Sequence, residues 1–465
     1  MRSPGAILLV SCYELGHQPL SLAFPLAILR QGGFDPLAID TSVDSLSEDA
    51  ARDARLVAIS VPMHTALRLG THVAEQVRAQ NPDAHICFYG LYASLNAEYL
   101  LDGLADSVIG GEYEQAILGL ARALDGGHVI DVPGVRTREH AALPVLARLP
   151  FAVPARDTLA PPRHYAHLVR GEDVVPAGYV EASRGCLHTC SHCPITPVYH
   201  GRFFIVPRAV VLDDIRQQVR QGVRHITFGD PDFLNGPGHS MAILRAMHAE
   251  FPWLTFDATI KVEHILERRE LFPELAELGC AFVVSAVESL SPGVLDHLKK
   301  GHTRADVAEA LRILDDAGIP MRPTFVAFTP WTTARDYLEL LDFVLEQRLI
   351  ENVDPVQYAI RLLVPPGSAL LDDESAPEWL GTLDHEALTY AWTHPDPRMD
   401  ALQREIAVLV EHAASEGADH RTTFAAVRGL ARERLGAPAE AAMPAPERAV
   451  AARRPVPHLT EAWFC

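Results

Sequence analysis

Three cysteines crowd into one short stretch, Ser183-Arg-Gly-Cys186-Leu-His-Thr-Cys190-Ser-His-Cys193-Pro194. The spacing C-x3-C-x2-C puts three thiolates on a single loop. Thiolates are soft ligands, and three of them can cap three corners of an iron–sulfur cubane. No fourth cysteine lies nearby, so one iron would stay open to a further ligand. The same stretch carries His188, His192 and, a little further on, His200. Any of these could instead complete a closed four-ligand zinc site. The chain has 7 cysteines, the others being Cys12, Cys87, Cys280 and Cys465. An odd number with three clustered points to metal chemistry and away from a disulfide framework.

Such a loop needs a scaffold, and the 465 residues are enough for two or three domains. Residues 1–130 alternate buried strands with helical patterns. AILLVS, LVAIS and HICFYG read as parallel strands, and a DSVIGG run leads into a further helix. This predicts a doubly wound α/β domain with ligands beyond the carboxyl ends of its strands. Residues 131–177 are rich in Pro and Arg and read as a linker. Alternation resumes over 178–371. GYVEAS precedes the cysteines, and HITFGD, LTFDATI, CAFVVSAV, IPMRPTFVAFT and VQYAIRLLV look like further strands. Six strand–helix units predict a partial (β/α)6 barrel with its chemistry at the carboxyl ends of the strands. The cysteine loop follows the first of these. Residues 372–436, including EALTYAWTH, read as a helical extension. Residues 437–465 read as an extended Ala/Pro/Arg tail whose last residues, LTEAWFC, turn apolar and dock.

Net charge is -20, which disfavours a nucleic-acid backbone as main partner. No apolar run is long enough to span a bilayer, and the start MRSPGAILLVS turns polar too soon for a signal peptide. The chain therefore reads as cytoplasmic, with no membrane partner.

A C-x3-C-x2-C loop after the first strand of a (β/α)6 barrel resembles the radical S-adenosylmethionine (radical SAM) superfamily. The resemblance implies a 4Fe–4S cluster on Cys186, Cys190 and Cys193, with S-adenosylmethionine on the open iron. An electron from the reduced cluster, supplied by a donor such as flavodoxin or ferredoxin, then breaks a carbon–sulfur bond and releases a carbon radical. It also implies cofactor contacts. His192 stands where the family often has an aromatic residue near adenine. Asp230 and Asp232 end the second barrel strand, where the methionine amine is held. Lys261 follows the third strand and could meet the methionine carboxylate. Ala286-Val-Glu288-Ser resembles the family's Gly-x-Glu-Ser segment, Pro330 lies in a fifth-strand turn against adenine, and Pro365-Pro-Gly-Ser resembles a Pro-Gly-Thr turn. Read without the resemblance, Asp230 and Asp232 are also ordinary Asx-turn residues, and Lys261 and Glu288 could face solvent.

The N-terminal domain resembles that of the cobalamin-binding class of the superfamily, so cobalamin is a possible second cofactor. The Asp-x-His-x-x-Gly loop that would supply a cobalt ligand is missing; Glu14-Leu-Gly-His17 has the wrong spacing. Finer segments, among them Ser11-Cys-Tyr-Glu-Leu-Gly-His-Gln and Lys300-Gly-His-Thr303, are similar to radical SAM proteins ending in Cys-Cys-Ala-Glu-Pro or Cys-Sec-Ala-Glu-Pro. The chain stops at Trp463-Phe-Cys465, where that tail would begin. The expectation is a coding sequence that continues through a selenocysteine codon, with Cys465 as a candidate catalytic residue. This subgroup is also similar to the enzyme forming the carbon–arsenic bond of arsinothricin. The implied reactions on a small molecule are therefore methylation, rearrangement or aminocarboxypropyl transfer, the last to a soft atom such as arsenic. A different class, a non-catalytic zinc- or corrinoid-binding sensor, is the alternative expectation.

Overall fold

The computed structural model describes residues 1–148, 150–436 and 456–461. The strands β1 (Ile7–Ser11), β2 (Leu37–Asp40), β3 (Leu56–Ser60), β4 (His85–Tyr89), β5 (Ser107–Ile109) and β6 (Val135–Arg136) form one sheet in the order β2-β1-β3-β4-β5-β6. The first five are parallel and β6 runs antiparallel to β5. Strands β1 and β3 are buried on both faces, which is why they read as unbroken apolar runs. Helices cover both faces, as a doubly wound domain requires. Strand β2 is short and half-exposed and carries little sequence signal.

The segment expected to be a plain linker has structure. It supplies β6, and then β7 (His167–Arg170), which turns antiparallel onto β8 (Asp173–Val180). Arg156 is fully buried there, paired with Asp214 at 2.6 Å and donating to Gln18 at 2.7 Å and to the Tyr179 carbonyl. Strands β9 (Ser183–Gly185) and β10 (Phe203–Ile205) form a small antiparallel pair flanking the cysteine loop.

The second large sheet adds β11 (His225–Phe228), β12 (Thr255–Thr259), β13 (Cys280–Glu288) and β14 (Met321–Phe325). Strands β8, β11, β12, β13 and β14 are parallel neighbours in a curled half-barrel. The expected sixth strand, Val356–Val364, is mostly not a strand. Pro355–Tyr358 is a 3-10 turn, and only one bridge, Phe328 to Arg361, continues the ladder. The Gln357 side chain accepts the Phe325 N–H at 2.8 Å in place of a backbone partner.

The C-terminal extension differs in one element from its expected helical form. EALTYAWTH is not helical: β15 (Leu380–Asp384) and β16 (Thr389–Trp392) form an antiparallel hairpin. Asp384 accepts the Glu386 and Ala387 N–H groups, an Asx turn that ends the strand. The aromatic and β-branched residues Thr389, Tyr390 and Trp392 favour the second strand. The helices Pro397–Ser415 and His420–Leu435 follow.

Within the tail, β17 (His458–Leu459) pairs antiparallel with β7 and so runs in the same sense as the barrel strands. Leu459 packs with Leu168, Phe282 and Val284, and Arg322 donates to the Pro457 carbonyl. Glu461 lies over Gly16 and reaches Tyr13. Cys465, with Trp463 and Phe464, falls outside the described residues. Among the described residues, no helix is long and apolar enough to cross a membrane.

Burial also sets a pH dependence. The Glu14 carboxylate, at the exit of β1, is buried and accepts the Leu20 and Ser21 N–H groups. Burial pushes its pKa up to about 7 against an ordinary 4.5, in spite of those hydrogen bonds. A raised acid is stabilising when protonated, so its contribution is complete below pH 4.5 and is lost as pH rises to about 7. Glu14→Gln should flatten the stability of the fold across that window by up to about 3 kcal/mol. Urea unfolding at pH 5 and pH 7.5 tests this: an unchanged difference between the two, relative to the parent chain, would count against it.

Candidate active site

The cysteine loop starts at the end of β9. Gly185 has φ +75°, and a Cβ there would lie 2.4 Å from the Arg202 carbonyl, so only glycine makes this turn without strain. Asp230, just past β11, holds the approach to the loop: it accepts the Ala182 N–H at 2.8 Å and the Ser183 hydroxyl at 2.6 Å. Burial outweighs these bonds and raises its carboxyl to about 7. On the other side, Ser191 N–H donates to Leu298 O at 3.1 Å, the Ser191 hydroxyl to His297 O, and the Ser368 hydroxyl to Ser191 O. The Pro365–Ser368 turn therefore touches the loop. Trp331 stacks on His297 at 4.1 Å, which brings the buried turn containing Pro330 to the same side.

The three thiols sense one another. Burial, and then mutual repulsion of thiolates, push the Cys193 thiol up to about 12, and burial also raises Cys186. Buried thiols lose their protons readily only to a cation that replaces them. Lys300 is a buried positive charge on which Cys190 and Cys193 both act. Three thiols in mutual range beside a buried cation suit a metal cluster carrying negative ligands.

Glu288 ends β13 at a bulge, with φ +64°, an unusual conformation for a non-glycine residue. Its Oε1 meets His192 Nε2 at 3.2 Å and Lys300 Nζ at 3.4 Å. Burial would raise this carboxyl, but Lys300 and His192 outweigh it and hold it down at about 2. So Glu288 is ionised and joined to both the cysteine loop and Lys300. The structure brings His192, Glu288 and the loop together. Asp232, Lys261 and His188 form a second group, in which Lys261 Nζ lies 2.8 Å from Glu263 and 3.0 Å from His188 Nδ1, and His188 Nε2 lies 3.3 Å from Asp232. Both oxygens of Asp230 accept hydrogen bonds, Oδ2 from the Ala182 N–H and Oδ1 from the Ser183 hydroxyl.

Arg184 was not legible as a functional residue. It is buried on β9, two positions before the first cysteine, and joins the two domains. Its guanidinium lies 2.6 Å from Glu114, 3.2 Å from Glu112 and 2.8 Å from Glu181, with the rings of Phe24, Phe151 and Tyr113 around it. Tyr199 donates to Glu112 at 3.0 Å. Its only sequence signal was the adjacency of an arginine to the cysteines and of two glutamates to Gly110-Gly111.

The model of the Radical SAM superfamily matches residues 180–344 of this chain. Among curated proteins it is similar to the ribosomal protein uS12 methylthiotransferase RimO of Porphyromonas gingivalis, 27% identical over 205 residues, 42% of this chain and 44% of the relative. RimO of Chlorobium chlorochromatii is likewise 27% identical, over 41% and 42%. The chain thus spans less than half the length of these relatives. Among solved structures, the fold is like that of the cobalamin-dependent S-adenosylmethionine radical enzyme OxsB, with TM-score 0.71, 16% identity and coverage of 88% and 67%. It is also like the radical S-adenosylmethionine methyltransferase TsrM of Kitasatospora setae, with TM-score 0.63, 19% identity and coverage of 74% and 71%. The expected architecture, a doubly wound domain before a partial barrel, is the one found.

Proposed function

We propose that this protein is a radical SAM enzyme that reductively cleaves S-adenosylmethionine to begin radical chemistry on a small molecule. The single observation that carries the reading is the Cys186, Cys190 and Cys193 loop, held at the carboxyl ends of the barrel strands by Asp230 and charge-balanced by Lys300. When bound, the cluster supplies one electron to the sulfonium of S-adenosylmethionine. The chain's own residues hold and shield it. Lys300 offsets thiolate charge, and Glu288 locks both Lys300 and His192. His192, Lys261, Glu288 and Pro330 are proposed to line the cofactor pocket with Asp232 beside them, while Asp230 supports the loop from below. An electron donor such as flavodoxin or ferredoxin completes the reaction.

The likeness to OxsB and TsrM supports cobalamin at the N-terminal domain. The fit is a restricted one. His17 is 3% exposed and its ring is stacked on Tyr179 at 4.7 Å, so it is packed in the interior and not presented at the surface of the β1 loop. The hairpin tip covers the exit of β3, with Ala387 O 2.7 Å from His64 Nε2 and Leu388 packed into the N-terminal core. Cobalamin bound here would take no ligand from His17. Methyl transfer is the reaction in keeping with the likeness to the methyltransferase TsrM, and rearrangement is a second proposal. Aminocarboxypropyl transfer, arsenic as acceptor and Cys465 as a soft ligand remain proposals motivated by the tail. The relatives carry enzyme names, and none supports a sensor.

Product analysis after anaerobic reconstitution and dithionite reduction tests the reading. Cleavage to 5′-deoxyadenosine or methylthioadenosine is expected. Methylcobalamin-dependent turnover marks methyl transfer, and methylthioadenosine marks aminocarboxypropyl transfer. A purified protein that holds zinc in place of iron on the three cysteines and leaves S-adenosylmethionine intact overturns it.

A further inference from the structure

We infer that His188, Asp232 and His264 form a binding site for a divalent transition-metal ion, separate from the three cysteines. Their ligand atoms all lie within 4.8 Å of one another. Asp232 Oδ2 is 3.3 Å from His188 Nε2 and 2.7 Å from His264 Nδ1. Ligand atoms on a tetrahedral zinc at about 2.1 Å are separated by roughly 3.4 Å; the His188 pair has that spacing, and the His264 pair is shorter and would open on binding.

The directions of the groups matter more than the distances. Asp232 is 2% exposed in its side chain, His264 12% and His188 17%, so water does not serve them freely. Yet Asp232 Oδ2, His188 Nε2 and His264 Nδ1 are each buried without an aligned hydrogen bond among the described residues. In a simple His–Asp pair the ring N–H points along the line to the oxygen. Here neither ring does so, although both are close. The two imidazoles are tilted by 57° with centroids 4.9 Å apart, and so do not stack. Lone pairs that converge on a shared centre instead of on each other give this arrangement.

The scaffold is built for it. Asp232 Oδ1 accepts the Leu234 N–H at 3.3 Å, which leaves Oδ2 to face the histidines. His264 stands on the helix Val262–Glu267 and His188 on the cysteine loop, so three separate elements each supply one ligand. Metal on His188 Nε2 would put the proton on Nδ1, so the Lys261 ammonium, 3.0 Å from Nδ1 in the metal-free state, would have to turn fully to Glu263 Oε2, which already lies 2.8 Å from it. Two imidazoles and one carboxylate suit Zn2+ or Fe2+, and three protein ligands leave positions open to water or a substrate atom. The site would thus hold a Lewis acid beside the cluster loop. It moves Asp232 from the methionine amine to a metal.

The competing arrangement is a metal-free relay in which Lys261 donates to His188 Nδ1 and His188 Nε2 to Asp232. The test uses the full chain after its iron–sulfur cluster has been reconstituted, so that the cysteines are already occupied. It is incubated with zinc chloride, desalted, and analysed for zinc and iron. The parent should retain about one equivalent of zinc. His264→Ala should retain less than about one tenth of that, with cluster iron unchanged. Asp232→Asn is nearly isosteric, keeps an oxygen for Leu234 N–H, and should lose zinc similarly. Zinc retained equally by both variants would place it elsewhere, and no zinc on the parent would leave the relay; either result overturns the site. Iron content and S-adenosylmethionine cleavage are read separately, so the failure of this site is distinguishable from that of the radical reaction.

Discussion

Replacing Cys186, Cys190 or Cys193 singly by Ala is expected to abolish stable iron binding and lower S-adenosylmethionine cleavage by more than about 100-fold. Changes in groups that merely orient a metal ligand cost 10–100-fold, so losing a ligand costs more. The three sites should respond equally, because each thiolate caps one iron and the loop has no spare cysteine. Lys300 sharpens the expectation. In the parent it is paired first with Glu288 and lies within electrostatic reach of Cys190 and Cys193. With a thiolate removed it faces an incomplete ligand set, so partial occupancy is further disfavoured. Iron analysis and the visible spectrum after anaerobic reconstitution measure the loss, and far-UV circular dichroism confirms the fold. Any one variant that keeps parental iron content would remove that cysteine from the ligand set.

Arg184→Met should destabilise the protein by about 3–5 kcal/mol, the cost of leaving buried carboxylates without their partner. Glu112 and Glu114 come from the N-terminal domain, and Glu181 precedes β9. Methionine retains the packing against Phe24, Tyr113 and Phe151 but supplies no charge. Three carboxylates, two of them buried, are then left close together without a cation. The sharper check is rescue: adding Glu112→Gln and Glu114→Gln should recover at least half of the loss, because neutral amides tolerate burial better than unpaired anions. Urea unfolding measures both. A single variant within about 1 kcal/mol of the parent would show that the cluster is only a surface-like ion pair. Since β9 leads directly into Cys186, iron retention should fall with the same variant.

Strand and loop order was largely legible because it is written locally. Apolar runs such as Ile7–Ser11 and Leu56–Ser60 must be buried on both faces, and that requires helices on both sides of a parallel sheet. Misreadings arose where local and tertiary preferences part. Glu386–His394 is compatible with a helix by composition, yet the Asp384 turn and the docking of Leu388 on the N-terminal domain select a hairpin. Val356–Val364 alternates like a strand, yet Pro355 and the Gln357 bond to Phe325 replace the ladder.

The sequence by itself determined the cysteine loop. Its chemistry depends on spacing within eight residues, a span short enough to keep three thiols within reach of one cluster. Only the tertiary structure decided what surrounds it. Arg184 meets Glu112 and Glu114, Glu288 meets Lys300 and His192, and His188 meets Asp232 and His264 through contacts between separate elements. Charge and ligand pairing of that kind leave no period in the chain. They arise when the half-barrel curls and brings the ends of its strands to one mouth.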